Sequence, residues 1–188
     1  MQQTPRLPQL LAISGHDPGG GAGIQADIEA AGANGAHACS VVSCLTDQDS
    51  CDVYRLLPQP PRQVLTQARR LLADSPIAAL KIGLLGDAAL ARGLAELLTE
   101  RPELPVVLDP VLASGAGTAL ADRALEQALR ALLPQVLLLT PNSLEARRLA
   151  AAGDNLAACA DRLLELGAGA VLITGTHEDD GEVFNRLY

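Results

Sequence analysis

The feature that most constrains the fold is an alternation of short apolar runs with helix-like segments along almost all 188 residues. Short apolar runs bounded by turn residues predict buried strands, and apolar residues at three- and four-residue spacings predict helices. Strands that alternate with helices form a mostly parallel sheet with helices on both faces. We therefore predict a three-layer α/β fold in a single domain, residues 1–188. The predicted strands are 9–14, 37–46, 78–85, 105–110, 136–140, 170–175 and 182–188, and the predicted helices are 22–35, 61–75, 87–100, 121–133, 142–151 and 155–168.

One section, residues 46–63, does not fit the alternation. It is either a loop or a small β-flap over one end of the sheet. Pro61 suits the first turn of the helix that follows this section, because a first-turn residue needs no backbone N–H partner. Asp87 suits the N-cap of the helix 87–100, because its carboxylate can accept the free N–H groups there.

The composition argues against several classes of protein. The formal net charge is −8, whereas surfaces that bind nucleic acid are basic. No stretch approaches the ~18 consecutive apolar residues of a membrane helix, and the N-terminus lacks the pattern of a signal peptide. We therefore expect a cytoplasmic protein with no nucleic-acid or membrane partner. The four cysteines form no C-x-x-C pair, and His16, His37 and His177 do not lie at zinc-like spacings from them, which favours reduced thiols.

The expected position of a ligand follows from the fold class. In open α/β sheets, ligands bind beyond the carboxyl ends of the strands. The segments that lie at these ends are 15–23, 46–49, 83–86, 109–117, 140–145 and 175–180.

The first of these segments is unusually rich in glycine. In "SGHDPGGGAGIQADIEA" (14–30), five glycines fall between Gly15 and Gly23, just before a predicted helix. Glycine lets a backbone approach a ligand closely, and a helix N-terminus attracts anions. Lys81 is the only lysine, so the lysine-containing phosphate loop G-x-x-x-x-G-K-[ST] does not occur in this chain.

The residues of this loop are also compatible with a tight turn or with a dinucleotide fingerprint. A tight turn needs only one or two glycines. The fingerprint is suggested by "GAGIQA" (21–26), which matches G-x-G-x-x-A, and by Asp47 or Asp49, which lies about where a ribose-binding acid would. Against the fingerprint, Asp17 would face the pyrophosphate.

Five polar residues at the remaining strand ends each have a structural and a functional interpretation. Asp109 precedes a proline and either starts a turn or binds a cation. Asn142 and Glu145 form N-x-x-E, which is close to a capping box and also offers oxygen ligands to a hydrated Mg²⁺. Gln48 is either a solvated loop residue or a paired hydrogen-bonding group for a heterocycle. Lys81 lies in an apolar strand, which favours a snorkelling or paired structural lysine over a catalytic one.

Taken together, five segments resemble the hydroxymethylpyrimidine/phosphomethylpyrimidine kinases of thiamine biosynthesis, in the ribokinase-like superfamily. The resemblance implies a ribokinase-like fold, usually dimeric. It implies an enzyme that uses ATP and a divalent cation such as Mg²⁺ to phosphorylate 4-amino-5-hydroxymethyl-2-methylpyrimidine, and then its monophosphate. The segments occur in the family's order and span essentially the whole chain: "LAISGHDPGGGAGIQADIEA", "GAHACSVVSCLTDQ", "LKIGLLG", "VVLDPVLASGAG" and "LTPNSLEARRL".

The resemblance also implies roles for individual residues. The substrate side would contain the family's pyrimidine-binding glutamine, the glycine loop with a nearby helix residue, and two pocket-lining residues. The opposite side would face the metal and the phosphates, with the metal held through water. The substrate-binding residues are then Gln48, Gly15, Asp27, Thr46 and Leu84, the nucleotide and phosphate residues are Asp109, Asn142, Glu145 and Thr174, and the Mg²⁺ residues are Asp109 and Glu145.

Three departures from the family pattern affect these expectations. The family's late G-T-G-C segment, which supplies the anion hole and a cysteine near the reacting hydroxyl, is absent, so no catalytic residue is assigned in this chain. We expect the 188-residue chain taken alone to be inactive or nearly so, because one lost donor of this kind costs ~10²–10³ in rate. Thr174 stands where many relatives have a lysine, and "VLASGAG" also lacks a lysine common in the family.

Three alternative functions remain compatible with the sequence. One is a different kinase of the same superfamily, such as one for pyridoxal-type vitamers, although Gln48 favours the aminopyrimidine. The second is an NAD-binding oxidoreductase, which would be stabilised by NAD and not by hydroxymethylpyrimidine. The third is a non-catalytic pyrimidine-binding protein, which would bind the pyrimidine without turnover.

Overall fold

A six-stranded, mostly parallel sheet forms the centre of the computed structural model, which describes residues 7–151, 155–175 and 182–188. The six strands are β1 (Gln9–His16), β2 (His37–Gln48), β3 (Val53–Pro58), β4 (Ile77–Ile82), β5 (Val106–Leu108) and β6 (Leu138–Leu139). They lie in the order β3-β2-β1-β4-β5-β6 across the sheet. Each neighbouring pair is parallel except β2–β3. The predicted mostly parallel α/β sheet is confirmed.

Helices cover both faces of this sheet. Along β4, Leu80 and Ile82 face a core shared with the second, third and fourth helices, whereas Lys81 points to the opposite face and contacts Asp27 of the first helix. This alternation separates the helices into two layers around the sheet, as the sequence predicts. The six helices are α1 (Gly23–Ala33), α2 (Pro61–Asp74), α3 (Ala88–Thr99), α4 (Arg123–Leu132), α5 (Ser143–Ala150) and α6 (Leu156–Glu165).

Several strands are shorter than the sequence predicts. The predicted strand 105–110 pairs only over β5, because Pro110 has no N–H to donate and Asp109 already starts the next loop. The predicted strand 182–188 shrinks to β8 (Arg186–Leu187), which pairs antiparallel with β7 (Leu172–Ile173). A parallel bridge between Leu139 and Val171 links β6 to the residue just before β7.

The core consists almost entirely of aliphatic side chains. Leu90, Leu94, Leu97 and Leu98 of α3 are all at most 2% exposed, because they repeat at the three- and four-residue spacing of one helix face. α2 and α3 pack closely at Gly93, where a Cβ would lie 2.4 Å from Leu65 Cδ1. Leucines therefore supply most of the apolar burial in a chain with few aromatic residues.

The predicted boundary residues have the expected local roles. Asp87 caps α3, accepting the Ala89 and Leu90 N–H groups at 2.6 and 3.1 Å. Pro61 begins α2. The section 46–63 contains a flap: β2 continues to Gln48, turns at residues 49–52 and returns as β3 along the edge of the sheet. The β-flap is thus confirmed, and the plain loop is not.

No helix in the described ranges is both long and apolar enough to cross a membrane. None of Cys39, Cys44, Cys51 and Cys159 forms a disulfide bond. His177 and most of the turn 175–180 lie outside the described residues.

Candidate functional site

A cavity of about 520 Å³ opens at the carboxyl ends of the central strands. It lies beside β1, where the strand order reverses, because β2 is on one side of β1 and β4 on the other. Such switch points are where open α/β sheets bind ligands, and the volume suits a small-molecule site. We call it the main cavity. Five predicted site residues line it: Gly15, Thr46, Gln48, Leu84 and Asp109.

The glycine loop, residues 15–23, is held in shape by Asp17. This carboxylate is 7% exposed and accepts the N–H groups of Gly19 at 2.7 Å and Ala22 at 3.0 Å. Gly23 has φ +61°, and a Cβ there would lie 2.3 Å from the Gly15 carbonyl oxygen. The loop therefore folds onto its own backbone, and Asp17 stabilises it from inside instead of facing a pyrophosphate.

The residues proposed to hold a ring form one wall of the main cavity. Gln48 ends β2, and its side-chain amide makes no hydrogen bond within the described part of the chain. Thr46 donates its hydroxyl to the His16 carbonyl at 2.7 Å, which ties β2 to the glycine loop. Leu84 packs against Gly15, where a Cβ would lie 3.0 Å from Leu84 Cδ2. An amide with both donor and acceptor free, beside an apolar wall, suits a flat polar heterocycle.

The floor of the main cavity carries three charged side chains. Lys81 Nζ contacts Asp27 Oδ1 at 2.8 Å and Oδ2 at 3.1 Å. Asp27, which the sequence resemblance places among the substrate-binding residues, does not line the main cavity and contacts Lys81 instead, whereas Lys81 and Asp109 line the cavity themselves. Burial raises the pKa of the Asp109 carboxyl, and the positive charge of Lys81 acts against that rise. The predicted pairing of Lys81 is confirmed.

The flap is fastened across the mouth of the main cavity. Asp52, in the flap turn, accepts hydrogen bonds from the hydroxyls of Ser114 and Thr118, each at 2.6 Å. These bonds lower the pKa of the Asp52 carboxyl. We call this contact the strap. It joins the β2–β3 turn to the loop between β5 and α4, so the two loops that border the cavity are held together.

Asn142 and Glu145 form the capping box of α5. Asn142 accepts the Glu145 N–H, and Glu145 Oε2 accepts the Asn142 N–H, both at 2.9 Å. The second oxygen, Oε1, accepts the Leu112 N–H at 3.1 Å. Glu145 is 6% exposed, and burial raises the pKa of its carboxyl while these bonds oppose the rise. The capping interpretation is confirmed for both residues.

The predicted phosphate-side residues lie beside the main cavity and not all within it. Asn142 and Glu145 line a second cavity of about 300 Å³, which shares the wall 113–116 with the main cavity. Thr174 lines neither cavity. Its backbone bonds to both sides of the α5 N-cap, since its N–H donates to Pro141 and its carbonyl accepts from Ser143.

The donor set fits a divalent cation only in part. Within the described ranges, no group of three or more His, Cys, Asp or Glu side chains converges as a metal site. Both Glu145 oxygens already accept backbone N–H groups, whereas the Asp109 carboxylate accepts no hydrogen bond from described residues. Mg²⁺ usually keeps several waters and takes one or two carboxylates plus substrate phosphates. Asp109 therefore fits such an ion, and Glu145 fits only through water.

Several residues that line the main cavity are not predicted as site residues by the sequence, among them His16, Asp52 and Ser114. His16 lines it at the end of β1, and Asp52 and Ser114 form the strap. The sequence signal for His16 is its position beside the glycine loop. Asp52 and Ser114 are 62 residues apart in the chain, and no local pattern links residues at that separation.

Comparisons with known proteins point to one family. Residues 17–188 match the family model described as phosphomethylpyrimidine kinase. The chain is 38% identical over 184 residues to the hydroxymethylpyrimidine/phosphomethylpyrimidine kinase of Salmonella typhimurium, covering 95% of this chain and 69% of that protein.

Two further relatives extend the comparison. The thiamine biosynthesis bifunctional protein ThiED of Geobacter sulfurreducens is 36% identical over 95% of this chain, which spans 38% of that protein. The crystal structure of a phosphomethylpyrimidine kinase from Clostridium difficile superposes with a TM-score of 0.86 at 29% identity, covering 97% of this chain and 80% of that one.

Proposed function

The chain belongs to the phosphomethylpyrimidine kinase family, and from this premise we propose that it binds 4-amino-5-hydroxymethyl-2-methylpyrimidine in the main cavity for ATP-dependent phosphorylation in thiamine synthesis. The observation that carries the proposal is Gln48, whose unpartnered amide faces a cavity of about 520 Å³ at the switch point of the sheet. An aminopyrimidine edge offers adjacent donor and acceptor atoms, which match both groups of a glutamine amide.

In this proposal, the residues of this chain act mainly by positioning the pyrimidine relative to the phosphates of ATP. Phosphoryl transfer depends largely on alignment and on neutralising charge. Gln48 orients the ring, the glycine loop and Leu84 enclose its faces, and the strap between Asp52 and Ser114 excludes water from the mouth. Asp109 would hold a divalent cation, which would supply positive charge against the phosphates of ATP, and Glu145 would fix the adjacent loop.

Three further features belong to the proposal. The 188 residues act as one kinase domain with a Mg²⁺ requirement. The chain forms a homodimer, which is supported by the cross-strand pair Leu45 and Leu57 on the flap, 42% and 39% exposed; light scattering tests it. The location is cytoplasmic, which free thiols favour.

The test is ligand binding followed by thermal unfolding and calorimetry. A ligand present at 100 times its Kd should stabilise the fold by about 2.7 kcal/mol. We expect this stabilisation from the pyrimidine and not from NAD. Gln48→Ala should abolish it, while Gln67→Ala, an exposed glutamine on α2 outside the cavity, should leave it unchanged.

Formation of the phosphorylated pyrimidine from ATP is measured on the same samples. Stabilisation by NAD alone would overturn the proposal in favour of an oxidoreductase. Pyrimidine binding that Gln48→Ala does not weaken would show that the ring lies elsewhere. Little or no product is expected from the 188-residue chain alone, because it lacks the family's G-T-G-C segment. Pyrimidine binding with no product even from the intact gene product would favour a pyrimidine-binding protein over a kinase.

A further inference from the structure

Two hydrogen-bond donors on the floor of the main cavity, the Ser14 hydroxyl and the Lys81 ammonium group, are not fully used by contacts with described residues. Ser14 is 1% exposed, lines the cavity, and its hydroxyl makes no hydrogen bond with any described residue. Lys81 lines the same floor, and its two contacts with Asp27 use at most two of its three ammonium hydrogens. A hydroxyl that lines a cavity and has no protein partner is available to hydrogen-bond with a ligand there.

Gly83 allows these two polar groups to converge. A Cβ at position 83 would lie 2.3 Å from Ser14 Oγ and 2.8 Å from Lys81 Nζ. Both atoms therefore pack onto the bare backbone of the segment after β4. Because Ser14 and Lys81 also line the main cavity, a ligand there can reach both groups at once.

The charge of the floor limits what it can accept. Lys81 contributes one positive charge, and its ion pair with Asp27 offsets that charge. The second carboxyl, that of Asp109, adds negative charge when it is ionised. The floor therefore has no net positive charge to attract a phosphate. It suits a neutral oxygen that accepts a hydrogen bond from Ser14 and one from Lys81.

We propose that Ser14 and Lys81 form a subsite that binds the hydroxymethyl oxygen of the substrate. This inference rests on the proposed function, which places the ring against Gln48 and requires the hydroxyl to face Asp109. The floor lies beside Asp109, so the hydroxyl reaches Ser14 and Lys81 in that orientation. Nothing in the local sequence motifs assigns a role to Ser14.

The test compares two ligands that differ by one oxygen. Calorimetry measures the Kd of 4-amino-5-hydroxymethyl-2-methylpyrimidine and of 4-amino-2,5-dimethylpyrimidine, which lacks the hydroxyl. The unmodified chain should bind the hydroxymethyl compound about tenfold more tightly, because two hydrogen bonds distinguish the ligands. Ser14→Ala should reduce this ratio about fivefold by weakening binding of the hydroxymethyl compound alone.

The control is Ser50→Ala, a serine on the rim of the same cavity, which should leave the ratio unchanged. Equal affinity of the unmodified chain for both ligands would overturn the inference without any variant. The inference would also be overturned if Ser14→Ala weakened the binding of both ligands equally. Either result leaves the proposed function intact as long as Gln48→Ala abolishes binding, whereas failure of both ligands to bind refutes the proposed function itself.

Discussion

The substitution Gly23→Ala tests whether the glycine loop needs a residue without a side chain at position 23. In Gly23→Ala, the new Cβ would lie 2.3 Å from the Gly15 carbonyl oxygen, at a residue with φ +61°. The left-handed conformation costs an alanine about 1–2 kcal/mol, and forced overlap with backbone adds about 1–3 kcal/mol. We therefore expect the free energy of unfolding to fall by about 3 kcal/mol, mainly because of strain in the loop.

Gly32→Ala is the matched control, because it makes the same change near the other end of α1. A Cβ at position 32 meets nothing within 4 Å. Alanine in place of glycine in a helix stabilises by about 0.5–1 kcal/mol. The two variants should thus change stability in opposite directions.

Urea denaturation followed by circular dichroism measures both effects. With a slope of about 2 kcal/mol per molar urea, the midpoint should fall by about 1.5 M for Gly23→Ala and rise slightly for Gly32→Ala. Pyrimidine binding, measured in parallel, should weaken only for Gly23→Ala, since the displaced loop forms a wall of the main cavity. Equal midpoints for the two variants would refute the idea that the loop needs a bare backbone at Gly23.

Three further variants test the strap, the floor and the capping box. Asp52→Asn should speed ligand dissociation severalfold in stopped-flow measurements, because a neutral amide replaces the charged acceptor of the strap, while Asp47→Asn on the exposed flap should not. Lys81→Met should cost about 3 kcal/mol in urea denaturation, because it leaves the half-buried carboxylates of Asp27 and Asp109 without their cation. Burial raises the pKa of Asp109, and that pKa should rise further without the lysine. The loss should therefore grow as the pH rises above the ordinary aspartate pKa of about 4, because ionising Asp109 becomes costlier; an unchanged loss would contradict this. Glu145→Gln should lower stability by about 1–2 kcal/mol in calorimetry, because one amide oxygen cannot accept both N–H groups; an unaltered Tm would show that the second bond is dispensable.

The fold class can be predicted from the sequence because the patterns that indicate strands and helices are local. The alternation of apolar runs and helical spacings reports which residues are buried, and burial on both faces of the strands implies a parallel sheet. Strand lengths do not follow in the same way. The predicted strand 105–110 pairs only over β5, which ends at Leu108, because pairing depends on the backbone groups offered to the neighbouring strand and Pro110 has no N–H.

The position of the site is also predictable, although its inner contacts are not. The strand-end rule identifies Gly15, Gln48 and Asp109, and the structure brings these residues to one cavity. The strap joins Asp52 to Ser114 across 62 residues, so only the folded chain reveals it. Ser14 is similar: its sequence position shows only a strand residue, and its closeness to Gly83, which also lies beside Lys81, appears only in the folded chain.

The N-x-x-E segment shows why a structural role does not exclude a functional one. Asn142 and Glu145 satisfy the capping box in full, which accounts for both residue types. Glu145 nevertheless extends beyond its own helix, because its second oxygen accepts the Leu112 N–H. Leu112 immediately precedes the wall 113–116 that separates the two cavities. Glu145 therefore links the cap of α5 to the wall between the two cavities. In the proposed function, this wall lies where the substrate and the phosphates meet, so the same side chain would serve both roles.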